Sequence, residues 1–307
     1  MTKIERIILS SAPVVFLRNV SKSMVLPGFC GVPLYDVYQF FSAELKKSSI
    51  NTRAKSIAYD FAMAIPAVLI CLFTLIPYMP ASKKFTIELL KLTKNLTPNQ
   101  NSYNFVQSFL RDFLETPRVG LMSFGFVLVI FYASNAMMSI IRTFDTSIYK
   151  HHRNKNIFRR RLKAMRLTII ILSLFVATVL LSIGQGIVFD SLLKWLHQRK
   201  AEKTTIAAIR WIIIIVLFFY SISFIYRYAP SVKKRWPLVS PGSVLATVLI
   251  LLTTILFSYW VNHFNNYNKI YGSIGTIMIL MLLIYLNSLI LLIGFELNLS
   301  ITYLKKS

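Results

Sequence analysis

Six long apolar runs dominate this chain, and a lipid bilayer is the solvent that suits them. A helix needs roughly 20 mostly apolar residues to cross about 30 Å of hydrocarbon. Runs of about that length lie at 61–80, 119–141, 167–189, 211–229, 243–262 and 274–295. Each is continuous rather than alternating, which selects helices over barrel strands. A soluble protein can bury one such helix, but six in 307 residues leave too little polar chain to cover them. The expected fold is all-α: a polytopic membrane protein with six transmembrane helices. Residues 1–60 form a cytoplasmic N-terminal segment, 61–298 the transmembrane domain and 299–307 a cytoplasmic tail.

The charge balance at first points elsewhere. There are 35 Lys and Arg against 11 Asp and Glu, a net charge of +24, which would suit a nucleic-acid binder. Yet 55% of the residues are hydrophobic and the mean hydropathy is +0.59, which excludes a polar nucleic-acid-binding domain and a disordered basic tail. Distributed among the connecting segments, 23 basic residues fall on the side of the two termini and 12 on the other. The positive-inside rule then places both termini in the cytoplasm, as an even number of spans requires. The charge is thus chiefly an orientation signal. The densest cluster, containing Arg153, Arg159, Arg160, Arg161 and Arg166, reads either as a contact for anionic lipid headgroups or as a solvated loop that only sets orientation. Membrane lipids are the expected partners and nucleic acid is not, and a homo-oligomer is left open. Two cysteines, Cys30 and Cys71, exclude a disulfide scaffold and a cysteine zinc ribbon.

Other segments are too short or too polar to span. Residues 7–17 are apolar but broken by Ser10, Ser11 and Pro13, and they read as a retained surface segment. Leu34, Val37, Tyr38, Phe41 and Leu45 recur on one helical face, which predicts an interfacial helix leading into the first span or one packed on the helix ends. Residues 81–118 predict a short extracytoplasmic helical hairpin turning at Pro98-Asn99-Gln100-Asn101.

Polar groups at membrane depth are costly, so each is a functional candidate as well as a packing device. Asn135, Gln185 and Asn287 lie within spans. Arg142, Asp145, Arg227, Glu296 and Asn298 lie at span ends, and Asp60 opens the first. Asn135, Arg142, Asp145, Arg227, Asn287, Glu296 and Asn298 make up a candidate polar cavity. In its sharpest form Glu296, Asp60 and either Arg142 or Arg227 converge. Pro66 removes one hydrogen bond from the first span, Gly272 and Gly275 permit close backbone contact, and Pro241-Gly242 suits a helix start. These five are the packing or hinge candidates.

The chain resembles the YihY/BrkB family of bacterial inner-membrane proteins over nearly its whole length. The resemblance is carried by Arg53-Ala54-Lys55-Ser56-Ile57-Ala58-Tyr59 with Ala64-Ile65-Pro66, by Ser134-Asn135-Ala136-Met137-Met138 through Arg142, and by Tyr226-Arg227-Tyr228-Ala229-Pro230 with Pro241-Gly242. Tyr267 through Gly275 and Gly294-Phe295-Glu296-Leu297-Asn298 complete it, whereas Asp60 departs from the family pattern. The resemblance implies six helices and cytoplasmic termini. Some members carry a ribonuclease label and others a virulence-factor label. The residues do not support a nuclease. The four histidines, His151, His152, His197 and His263, form no H-E-x-x-H or comparable metal-binding motif, and there is no phosphate-binding loop or nucleophile elbow. No metal, cofactor or catalytic residue is expected. Transport or flipping of a lipid or other amphiphile is the favoured function. A non-transport envelope scaffold or assembly factor is the alternative, and an intramembrane enzyme using Glu296 comes third.

Overall fold

The computed structural model describes residues 20–22, 24–25, 28–29, 31–47, 49–75, 77, 104, 107–108, 119–148, 157–183, 203–232, 235–263 and 266–305. Seven helices account for most of them: α1 (Leu34–Lys47), α2 (Ile50–Leu75), α3 (Val119–Ile148), α4 (Ile157–Ile183), α5 (Lys203–Tyr228), α6 (Pro241–His263) and α7 (Asn266–Leu304). No strand occurs among the described residues. The protein is an all-helical membrane protein. Five helices, α2, α3, α5, α6 and α7, are long and apolar enough to cross a bilayer. The other expected span falls in α4, whose first ten residues hold Arg159, Arg160, Arg161, Lys163 and Arg166 and whose apolar part begins at Leu167. Residues 184–189, with Gln185, lie outside the described residues, as do residues 1–17 and nearly all of the expected hairpin.

Several helices run past their apolar stretch. α2 starts at Ile50 rather than at residue 61, because Ile50, Ala54, Ile57 and Ala58 recur at helical spacing and are buried. α2 also continues through Pro66, which sits exposed on its surface. α3 runs seven residues past Ile141, and Thr143, Phe144 and Asp145 in that extension are buried. α7 begins at Asn266, so Gly272 and Gly275 lie inside it rather than at its entrance. At the other end α7 passes Phe295 and Asn298 and stops at Leu304.

The chain divides into two compact units. One comprises Tyr59–Ala136, with the apolar parts of α2 and α3. Within it Gly125 brings α3 onto α2: an added Cβ there would lie 3.3 Å from Ile70 Cγ2 and 3.4 Å from Cys71 Cα. Asn135 is half-buried in this unit, and Asp60 belongs to it too.

The larger unit comprises Met1–Ala58 and Met137–Ser307. In it α6 packs along α7, α5 against α4 and α6, and α1 against α7. Its core includes Ile57, Ile140, Ile141, Phe144, Tyr226, Leu292 and Phe295. Phe144 stacks on Phe295 at 3.8 Å with the rings 4° apart, and Tyr226 and Trp236 close round the same ring. Val37 of α1, flanked by Leu34 and Phe41, packs against Leu297 and Ile301 of α7. Of the expected α1 face, Tyr38 remains exposed at 66%. The apolar stripe of α1 therefore covers the end of α7, which is why residues 294–301 of α7 are buried on every side.

Candidate functional site: a buried polar layer

In the larger unit the N-termini of α2, α4 and α6 meet the C-termini of α3, α5 and α7. Helix ends leave unpaired N–H and C=O groups, and in an apolar setting each needs a partner. Side chains from neighbouring helices supply them. Ser240 caps α6: its Oγ accepts from the Ser243 N–H at 3.3 Å, while Ser243 Oγ accepts from the Ser240 N–H at 3.0 Å. Pro241 then occupies the first helical position, where its missing N–H costs nothing. The free N–H of Gly242 donates to Asn298 Oδ1 at 2.8 Å, and Asn298 Nδ2 donates to Ser240 Oγ at 2.9 Å. Lys163 Nζ donates to the Ala229 carbonyl at the end of α5 at 2.7 Å and to that of Pro230 at 3.2 Å. Tyr303 donates to the Ile148 carbonyl at the end of α3 at 3.1 Å.

Two carboxylates lie within this layer. Glu296 Oε1 accepts from Arg53 Nη2 at 3.0 Å and from Ser147 Oγ at 2.6 Å, with the two charged side chains 2% and 12% exposed. Arg53 also donates to Ser147 Oγ and, at 3.3 Å, to the Thr143 carbonyl. Asp145 accepts from the Ser231 N–H at 3.0 Å and from Ser231 Oγ at 3.1 Å, and Arg160 Nε lies 3.8 Å from its Oδ2. The layer is packed tightly enough to demand glycine. A Cβ on Gly242 would collide with the Gly294 carbonyl and reach within 2.7 Å of Asn298 Cγ; one on Gly294 would come within 2.9 Å of Ala246 Cβ. Tyr226 donates to the Leu291 carbonyl at 2.7 Å, fixing α5 against α7 one turn deeper.

The sequence candidates therefore separate. Asp145, Glu296 and Asn298 share the layer, but each is engaged by protein groups. The ion-pair partner of Glu296 is Arg53, a residue outside the candidate set. Arg142 is exposed. Arg227 stands 5.6 Å from the Tyr228 ring centroid with Nε buried and unbonded, and the buried Asn287 Oδ1 is unbonded too. Among the headgroup candidates, Arg159 and Arg166 are exposed, Arg161 is half-buried, Arg160 turns inward to Asp145, and Arg153 lies outside the described residues. Arg53, Ser147, Ser240 and Gly294 escaped the sequence reading as site residues. Among the described residues no three His, Cys, Asp or Glu side chains gather as metal ligands would.

Comparison with known proteins agrees with this architecture. The family described as "Virulence factor BrkB" matches residues 41–307. YfkH of Bacillus subtilis (strain 168), described as ribonuclease-like, is 29% identical over 248 residues, covering 81% of this chain and 88% of that protein. A UPF0761 membrane protein of Idiomarina loihiensis is 34% identical over 121 residues, covering 39% of this chain and 43% of its own length. A UPF0761 membrane protein of Tolumonas auensis is 23% identical over 84% of this chain and 82% of its own length. No solved structure matches the chain. With a helical membrane architecture and a family match over residues 41–307, this chain belongs to the virulence factor BrkB family.

Proposed function

We propose that this protein moves an amphiphile such as a lipid across the bacterial inner membrane, with both termini in the cytoplasm. The charge asymmetry of the connecting segments supports the orientation. The observation that carries transport is a set of buried polar atoms without partners: Thr168 Oγ1 on α4, Ser223 Oγ on α5 and Asn287 Oδ1 on α7. In an apolar interior each unpaired group costs about 1–3 kcal/mol. Their depth is common to all three. Lys163 to Ala229 and Tyr226 to Leu291 fix the register of the three helices. At about 1.5 Å per residue, Thr168, Ser223 and Asn287 all lie roughly 4–9 Å beyond those anchors. Ser223 lies one turn from Tyr226 on α5, and Asn287 one turn from Leu291 on α7. A passing polar headgroup would satisfy such atoms.

The test is translocation of a fluorescent phospholipid in proteoliposomes, read by an impermeant reductant. The wild type is expected to exceed protein-free vesicles. A Thr168→Val/Ser223→Ala/Asn287→Leu variant should slow by about tenfold while unfolding no earlier, since unpaired groups are removed. Unchanged translocation in the triple variant would discard these atoms as the path. The polar layer, whose carboxylates are consumed internally, favours the alternative of a rigid envelope scaffold. That alternative predicts no translocation by the wild type.

A further inference from the structure

Two arginines beside one tyrosine form a cationic corner at the end of α5. The Arg235 guanidinium carbon lies 5.0 Å from the Tyr228 ring centroid, and that of Arg227 lies 5.6 Å from it. Phe224 backs the same ring at 5.6 Å, with the planes 16° apart. No carboxylate pairs with either arginine among the described residues. Asp145 of α3 reaches the connection after α5, but Ser231 engages both its oxygens. Lys163 adds a third cation at the Ala229 and Pro230 carbonyls.

Stacking on a tyrosine uses the face of a guanidinium and leaves its N–H edge available. Arg227 Nε is buried and has no acceptor. The exposed Arg235 guanidinium beside it suits a phosphate oxygen, which takes charge-assisted and bidentate hydrogen bonds. The rest of α5 indicates what carries the phosphate. Ile212, Val216 and Tyr220 are exposed and recur every fourth residue up to Phe224 and Tyr228. That stripe is about 24 Å long at 1.5 Å per residue, the length of an acyl chain, and it ends at the arginines.

We propose that Arg227 and Arg235, held by Tyr228, bind the phosphate of an anionic phospholipid whose acyl chain lies along α5. The site does not depend on transport: a scaffold could hold the same lipid. The chemistry recognised is a phosphate oxyanion, and the stripe assigns it to a lipid rather than to free phosphate.

Native mass spectrometry of the full chain, delipidated in detergent and titrated with phosphatidylglycerol, phosphatidylcholine or inorganic phosphate, tests this. The wild type is expected to bind one phosphatidylglycerol more tightly than phosphatidylcholine. Arg235→Ala, at an exposed position that leaves folding intact, should weaken it about tenfold, and Arg235→Lys by less. Lys55→Ala, an exposed lysine on α2, should leave it unchanged. Equal loss in Lys55→Ala would reduce the effect to diffuse charge and overturn the site. So would unchanged affinity in both Arg235→Ala and an Arg227→Gln/Arg235→Ala double variant. Competition by millimolar inorganic phosphate as strong as that by lipid would overturn the assignment to a phospholipid.

Discussion

Arg53 and Glu296 are the residue pair on which the polar layer turns. Removing one member of a buried, hydrogen-bonded ion pair typically costs about 3–5 kcal/mol, because the other charge is left without compensation. Replacing both by apolar residues is often neutral. Glu296→Ala and Arg53→Ala are therefore each expected to lower the thermal unfolding midpoint in detergent, whereas Arg53→Met/Glu296→Met recovers most of the loss. A double variant no better than the worse single would mean that the pair does more than compensate charge. Gly294→Ala is expected to cost about 1–3 kcal/mol by overpacking against Tyr226, Ala246 and the Gly242 carbonyl, read in the same melt. Half of this pair was legible: a carboxylate beside an apolar run attracts notice wherever it falls. Arg53 was not, because it precedes the hydrophobic run and lies 243 residues from its partner. No local spacing connects them; only the fold does. Gly294 stands within a block that carries the family resemblance, but its steric role depends on Gly242 facing it from another helix.

At the scale of elements, apolar content located the helices better than it located their ends. A hydropathy reading stops a span at the first charge, so span six ended at Phe295, just before Glu296. The helix instead continues, because Glu296, Asn298 and Thr302 each find a partner: Arg53, Gly242 and Trp236. The last three turns of α7 are thus interior structure, with Leu299, Ser300 and Ile301 at 5% exposure or less. Deleting residues 299–307 is expected to destabilise the protein strongly, through lost burial of Leu299 and Ile301 and an orphaned Trp236 Nε1. Deleting residues 305–307 alone should be close to neutral. The share of monodisperse protein on size exclusion after mild heating measures both. Equal behaviour of the two truncations would show that the end of α7 contributes little. The α6 start was readable from Pro241-Gly242, since proline at a first helical position and a serine before it are local signals. What Gly242 donates to was not, because Asn298 comes from α7.

For the whole molecule, net charge and the polar layer concern the same end. The N-terminus of α2, the C-terminus of α7 and the basic start of α4 all lie where the buried ion pairs gather. A membrane protein must keep its richest positive side from crossing, so that end is expected to face the cytoplasm. The folded layer would then act after insertion, with Arg160 turned inward to Asp145 instead of remaining a free topology signal. Orientation and packing make separate demands on α4. Arg159 and Arg166 stay exposed and can keep the orienting charge, whereas Arg160 serves the fold. Lys305→Cys, in a background with Cys30 and Cys71 replaced by serine, is expected to resist an impermeant maleimide in intact cells and to react after permeabilisation. Replacing Arg159 and Arg166 by glutamine should weaken that protection without lowering the melting temperature. Arg160→Gln should do the reverse, lowering the melt by about 1 kcal/mol or more while the tail stays protected, because Asp145 retains Ser231 but loses its nearby charge. Labelling of Lys305→Cys in intact cells would reverse the orientation. Loss of protection in Arg160→Gln equal to that in the double glutamine variant would show that charge on α4 acts as a sum, with no division of labour among its arginines.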